Sequence, residues 1–297
     1  MTQSSPDSGR ARTALIVLTA IWGSTFVVLQ SGVTLLSPFV LISLRFLVAG
    51  VAMAIFRPVS FFESRKLILV SLPLSLSMLA GFALQTYGLE TTTPARSAFL
   101  TSLSVVLVPV LDFFDTKRLP RWRLAAAALT AGTGIYVLFR PIGVEWRRGD
   151  TLTVISALVF AFYITELGRR SREHKASSLV MAQCLTISIL GGALALATHP
   201  RFAADWRAFA VLGYLGVVCT AVTFLLMTWA QARVSNIEAA VIFTLEPVIA
   251  AIFSVLLGRE AFQTKLWGGG ALVVAAMILA STDPSEPHPV APVEGID

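Results

Sequence analysis

Residues 13–30 read TALIVLTAIWGSTFVVLQ, an uncharged stretch placed directly after Arg10 and Arg12, and its reading decides what kind of protein this is. It is longer than the apolar core of a signal peptide and no small-residue cleavage pattern follows, so it is expected to remain as a membrane span. Outward from it, charges and prolines divide the chain into nine more apolar runs. These are 38–56, 66–87, 94–114, 122–139, 150–168, 177–197, 206–230, 236–257 and 265–281. Each approaches the ~20 residues that a helix needs to cross a bilayer. None alternates with period 2 or is as short as the ~10 residues of a barrel strand. Backbone amides in lipid must then be satisfied within helices. The expected fold is an all-α integral membrane protein of ten transmembrane helices.

Composition agrees with that reading. Of 297 residues, 56% are hydrophobic and 13% charged, where a soluble domain carries about 25% charge, and mean hydropathy is +0.78. A soluble globule is excluded. Ten crossings use about 200 residues, which leaves no room for a large extramembrane domain. The net charge of +6 is scattered among loops instead of gathered on one face, so no nucleic-acid partner is expected and the excess is read as orientation. With the N-terminus cytoplasmic, inner segments hold 14 Lys and Arg and outer loops hold 8. That count puts both termini inside, although the basic loop from Arg140 to Arg148 argues the other way. Cys184 and Cys219 lie inside apolar runs and read as packing residues. The Pro-rich, acidic tail reads as disordered.

Sliding the chain against itself by 142 residues sets Ala98, Leu103, Val106 and Leu124 on Ala240, Leu245, Val248 and Leu266. An odd number of spans per copy makes the second copy enter from the opposite side, the inverted pseudo-symmetry common in secondary transporters. The expected organisation is a cytoplasmic tail at 1–12, a first five-helix repeat at 13–139 and a connecting loop at 140–149. A second repeat follows at 150–282, with a cytoplasmic tail at 283–297.

Four segments carry a family likeness: Trp22-Gly23-Ser24-Thr25-Phe26, Pro38-Phe39 with Arg45-Phe46, Leu245-Glu246-Pro247-Val248, and Leu257-Gly258-Arg259-Glu260. In these the chain resembles the drug/metabolite transporter superfamily, of the kind built from two EamA-type repeats, over Thr13 to Ser281. Where such proteins often carry an acidic residue after the fourth span, this chain has Lys117-Arg118. The resemblance implies ten helices in the bacterial inner membrane with both termini cytoplasmic. It also implies alternating access and, usually, export of amino acids or other small metabolites.

Ionisable groups inside spans are functional candidates, since each costs about 3 kcal/mol to insert. Glu246, near the middle of the ninth run, takes up a proton during transport, meets a substrate ammonium group, or is a structural carboxylate bonded between helices. Arg45 holds a substrate carboxylate, pairs with Glu246, or caps a neighbouring helix. In the fourth run Ser97, Thr101, Ser104 and Asp112 fall within roughly 80° of one another at 100° per residue, one polar stripe on an apolar helix. The 142-residue shift carries Ser104 to Glu246, Thr101 to Phe243 and Ser97 to Ala239. The fourth and ninth spans are therefore expected to line the path, unless the hydroxyls only join helices. Pro109 and Pro247 are expected to interrupt those helices, and Pro73 the third. Ser71, Ser75, Met78, Phe82 and Gln85 share a face of the third span, and Thr220, Thr223, Met227 and Gln231 a face of the eighth. Trp22 and Gln30 approach from the first, and Tyr163 in the sixth offers a ring to an organic solute or simply packs.

Substrate-contacting residues are accordingly placed at Trp22, Arg45, Phe82, Gln85, Ser97, Thr101, Ser104, Tyr163, Phe243 and Glu246. No catalytic or metal-binding residue is assigned and no cofactor is expected, because zinc, nucleophile-elbow and Walker motifs are missing. The expected partners are a small-molecule substrate and the bilayer, with proton coupling through Glu246 and a homodimer permitted by small-xxx-small pairs such as Ala128 with Gly132. The competing reading is an integral membrane enzyme acting on a lipid-linked substrate, for which Asp112, Asp115 and Glu166 are the nearest approach to a carboxylate cluster.

Overall fold

The computed structural model describes residues 6–56, 65–116, 122–139, 146–171, 174–198, 200–234, 239, 242–243, 245–259, 261 and 264–281. Over these residues the chain is helical between short turns, with one isolated bridge between Leu36 and Phe202. The first half comprises α1 (Pro6–Leu35), α2 (Pro38–Phe56), α3 (Arg65–Gly88), α4 (Pro94–Thr101), α5 (Leu103–Thr116) and α6 (Trp122–Phe139). The second comprises α7 (Arg148–Arg170), α8 (Ala176–Ala197), α9 (Trp206–Gly213), α10 (Thr223–Gln231), α11 (Leu245–Leu256) and α12 (Thr264–Ser281). Between α9 and α10, Tyr214–Val222 winds as a π-helix, so that Trp206–Gln231 is one rod of 26 residues.

Six of these helices are long and apolar enough to cross a membrane: Gly9–Leu35, Pro38–Ile55, Leu67–Gly88, Arg148–Arg170, Ala176–Ala197 and Trp206–Gln231. Pro94–Val108, Leu245–Leu256 and Trp267–Leu279 are shorter apolar helices. The outward-facing hydrophobics, such as Leu69, Leu129, Ile189 and Leu196, are what a bundle presents to lipid. The tail at 283–297, residues 140–145 and Glu260 lie outside the described residues.

Helix boundaries and packing repeat with the 142-residue shift. Trp122–Phe139 maps residue for residue onto Thr264–Ser281, and the first residue of α5 onto the first of α11. α3 packs on α7 as α10 packs on α1, and α5 packs on α7 as α11 packs on α1. α2 lies against its counterpart α8, and α6 against α12. The last pair approaches closely at Gly134, where an added Cβ would sit 2.9 Å from the carbonyl oxygen of Gly269 and from Val273.

The fourth run breaks elsewhere than its proline suggested. Helix continues through Pro109, whereas α4 ends at Thr101 and α5 begins at Leu103. At the break the Ser102 hydroxyl donates to the carbonyl of Phe99, and the Val105 amide donates to the Ser102 carbonyl instead of to residue 101. A hydroxyl competing for a backbone acceptor tightens the turn, and no apolarity pattern announces it.

Corners assigned to one side by charge counting meet in space. Ser37 and Arg201 join the α1–α2 turn to the segment before α9. Asp150, fully buried at the start of α7, accepts from Arg96 at 2.6 Å and from Thr92 of the α3–α4 turn. It also accepts the Arg147 amide at 2.8 Å, closing its own helix start. The two backbones nearly touch there, since a Cβ on Gly149 would lie 2.2 Å from the carbonyl oxygen of Gly88.

Candidate functional site

Helices from both halves enclose a cavity whose empty space, mouth included, is about 710 Å³. Ten of the eighteen residues that line it form pairs 142 residues apart. Trp22 and Ile164, Phe82 and Phe224, Gln85 and Met227, Thr101 and Phe243, and Ser104 and Glu246 all line it. Rings dominate: Trp22 lies 5.7 Å from Phe243 and 6.3 Å from Phe224, and Phe82 lies 5.5 Å from Phe160, centroid to centroid. The Trp22 indole N–H donates to the Thr223 hydroxyl at 3.0 Å, which anchors the ring at the cavity wall.

Arg45 reaches this cavity from α2, and its side chain is only 1% exposed. Its Nε donates to the Thr220 hydroxyl at 2.6 Å and one terminal nitrogen donates to the Cys219 carbonyl at 3.0 Å. The guanidinium carbon stands 4.5 Å from the Phe82 ring centroid, a cation–π distance. The other terminal nitrogen, Nη1, is buried and has no hydrogen-bond partner among the described residues. Pairing with Glu246 is not made; bonding to a neighbouring helix is, though in its middle and not at its end.

Glu246, at the start of α11, is half-buried and lines the same cavity. Among the described residues its carboxylate has no hydrogen-bond or ion-pair partner. Arg45 and Glu246 thus both line the cavity, the first with a buried Nη1 and the second with a carboxylate that no described residue engages. Gln85 donates from Nε2 to the Thr101 hydroxyl at 3.1 Å. The fully buried Tyr163 donates to Gln183 at 3.0 Å, which spends its hydroxyl on α8 and leaves the ring for the cavity wall.

Nine of the ten residues named from sequence line this one space, and Ser97 does not: it is fully buried and its hydroxyl has no partner among the described residues. Ser97 lies one turn before Thr101, where α4 is sealed on every side. Thr25, Phe26, Met78, Ser102, Val105, Phe160, Ile164, Phe224 and Met227 also line it without having been named as contacts. Applying the 142-residue shift to Phe82 and Gln85 points to Phe224 and Met227. Ser71 and Ser75 bond back along their own helix, and Gln30 is half-buried away from the cavity. Glu166 is engaged by Arg169 and Arg170 of its own helix end at 2.9 Å, and the side chains of Asp112 and Asp115 lie outside the described residues.

The model of the EamA-like transporter family matches residues 11–140 and again residues 147–282. An uncharacterized transporter of Archaeoglobus fulgidus is 29% identical over 267 residues, covering 90% of this chain and 84% of its own length. The uncharacterized inner membrane transporter YicL of Salmonella typhimurium is 25% identical over 300 residues, covering 91% and 94%. A solved structure, described only as the crystal structure of a protein, shares the fold at a TM-score of 0.69 with 19% identity, covering 91% of this chain and 96% of its own.

Proposed function

Because this multi-pass membrane protein belongs to the EamA-like transporter family, we propose that it is a secondary or exchange transporter. It moves a small metabolite, an amino acid or a related compound, outward across the bacterial cytoplasmic membrane by alternating access. The observation that carries this reading is the cavity between the halves, lined in part by repeat-equivalent residues and by both Arg45 and Glu246, which make no ion pair with each other or with another described residue. A solute with one carboxylate and one ammonium group satisfies both, and the rings of Trp22, Phe82, Phe224 and Phe243 accept its apolar body.

The topology we infer is ten spans in two inverted repeats, at 13–139 and 150–282, with both termini cytoplasmic. Two of the arginines that weigh against that orientation are engaged locally: Arg96 with Asp150, and Arg147 with the Thr91 carbonyl at 3.1 Å. Inverted repeats give two rocking halves around one central site, and a cavity at their seam is where such a motion exposes a solute to each side in turn. The site residues are Trp22, Arg45, Phe82, Gln85, Thr101, Ser104, Tyr163, Phe243 and Glu246, with Ser97 behind them.

The test is exchange in liposomes. Purified protein reconstituted with internal unlabelled amino acids takes up the matching labelled amino acid in a saturable manner, and empty liposomes do not. Lack of saturable exchange across the amino acid panel removes this reading.

A further inference from the structure

Arg45 is mounted by a stretch of irregular helix, and the mounting leaves one nitrogen for the solute. We propose that the π-helical segment Tyr214–Val222, through Thr220, is the device that orients Arg45 to take a carboxylate of the solute. Thr220 is thus a positioning residue that sets selectivity for acids over their amides. The inference rests on the transport reading above and concerns how that cavity recognises its cargo.

Thr220 is fully buried and its hydroxyl works in two directions. It donates to the Leu215 carbonyl, five residues back, at 2.6 Å, and its lone pair accepts from Arg45 Nε at 2.6 Å. The bond to residue 215 matches the wider i−5 spacing of π-helix. In a regular α-helix the same hydroxyl turns to residue 216 or 217 and points elsewhere. The adjacent Cys219 carbonyl accepts the second guanidinium nitrogen. Phe82, from the same half as Arg45, supports the guanidinium at 4.5 Å.

These three contacts fix a planar group fully. The two donors on the π-helix side are consumed, the Phe82 side holds a ring, and Nη1 remains without an acceptor while Arg45 lines the cavity. A carboxylate oxygen satisfies such a nitrogen with a charge-assisted bond, and a neutral amide does so more weakly. Lysine at position 45 has one nitrogen and no plane, so it cannot hold Thr220 and the Cys219 carbonyl while offering a further donor from the same orientation.

The experiment titrates full-length protein in detergent with L-phenylalanine and with L-phenylalaninamide by calorimetry. The phenyl body is chosen because the cavity wall is aromatic. Wild type is expected to bind the acid at least tenfold more tightly than the amide. T220V loses that preference, T220S restores it, and R45K behaves as T220V does. The melting temperature of each variant is read alongside; should T220V not fold, T220A takes its place with the same expectation. A wild type that fails to bind L-phenylalanine, or binds the amide equally well, overturns the proposal, and so does T220V retaining the acid preference. Exchange that persists without this discrimination leaves the transport reading standing. Discriminating binding without exchange of any amino acid sinks the transport reading and spares this one.

Discussion

The rings of Phe82 and Phe224, 142 residues apart in the chain, stack with their centroids 6.5 Å apart and 18° between their planes. Both also pack edge-on against Phe46, at 5.6 and 5.7 Å. Two repeat-equivalent side chains thus meet across the seam of the halves, and Phe82 in addition carries the Arg45 guanidinium.

Phe82→Ala and Phe224→Ala are each expected to raise the concentration for half-maximal exchange about tenfold. The double variant should fall short of the product of the two, since the stacked pair contributes about 0.5–1.5 kcal/mol beyond its buried area. A double-mutant cycle on exchange kinetics measures this, and strict additivity contradicts it.

Glu246→Gln keeps the shape and removes the charge. Exchange of zwitterionic amino acids should fall at least tenfold, while Ser104→Ala at the repeat-equivalent position costs less than threefold. Unchanged rates and unchanged pH dependence in Glu246→Gln assign the carboxylate a structural part only.

The Asp150 junction is a stability element. Asp150→Asn removes one charge from the buried Arg96–Asp150 ion pair, which costs about 3 kcal/mol by the usual measure for a broken buried pair. Gly149→Ala forces a Cβ against the Gly88 carbonyl, which sits on backbone and cannot swing away, for a loss of about 2 kcal/mol. Thermal unfolding in detergent should show both variants melting below wild type.

The same junction separates the halves if they rock. Thr91 and Arg147 are both exposed and face each other across it. Joining cysteines at these two positions with a short, cleavable bifunctional thiol reagent is expected to stop exchange, and reductant to restore it. Exchange that continues while the link is intact shows that the halves do not part there.

Much of the bundle could be read from residue types, because lipid forces backbone bonding into long apolar helices and each run announces itself. The six long apolar helices fall on runs 13–30, 38–56, 66–87, 150–168, 177–197 and 206–230. What escaped were features set by single hydrogen bonds. The break at Ser102 and the π-helix around Thr220 sit in sequence no different in apolarity from their surroundings. The contact of Arg96 with Asp150, the first residue of run 150–168, had no signal in the sequence, since 54 residues of chain hide it. The 142-residue register went furthest toward the site, because equivalent positions in two packed repeats face the same seam. It pairs Thr101 with Phe243 and Ser104 with Glu246, yet it is silent on Arg45, whose counterpart Ile187 lies in the core.

The most direct test of the central claim is solute-dependent accessibility of Thr101 and Phe243, a repeat-equivalent pair that lines the cavity. Each is replaced by cysteine in a background with Cys184→Ala and Cys219→Ala, and a membrane-impermeant thiol reagent is applied from either side of sealed vesicles. Both positions are predicted to react from each side, and a transported amino acid to slow both reactions. Positions that react only with lipid-soluble reagent, or react at rates no solute changes, contradict a central path between the two halves.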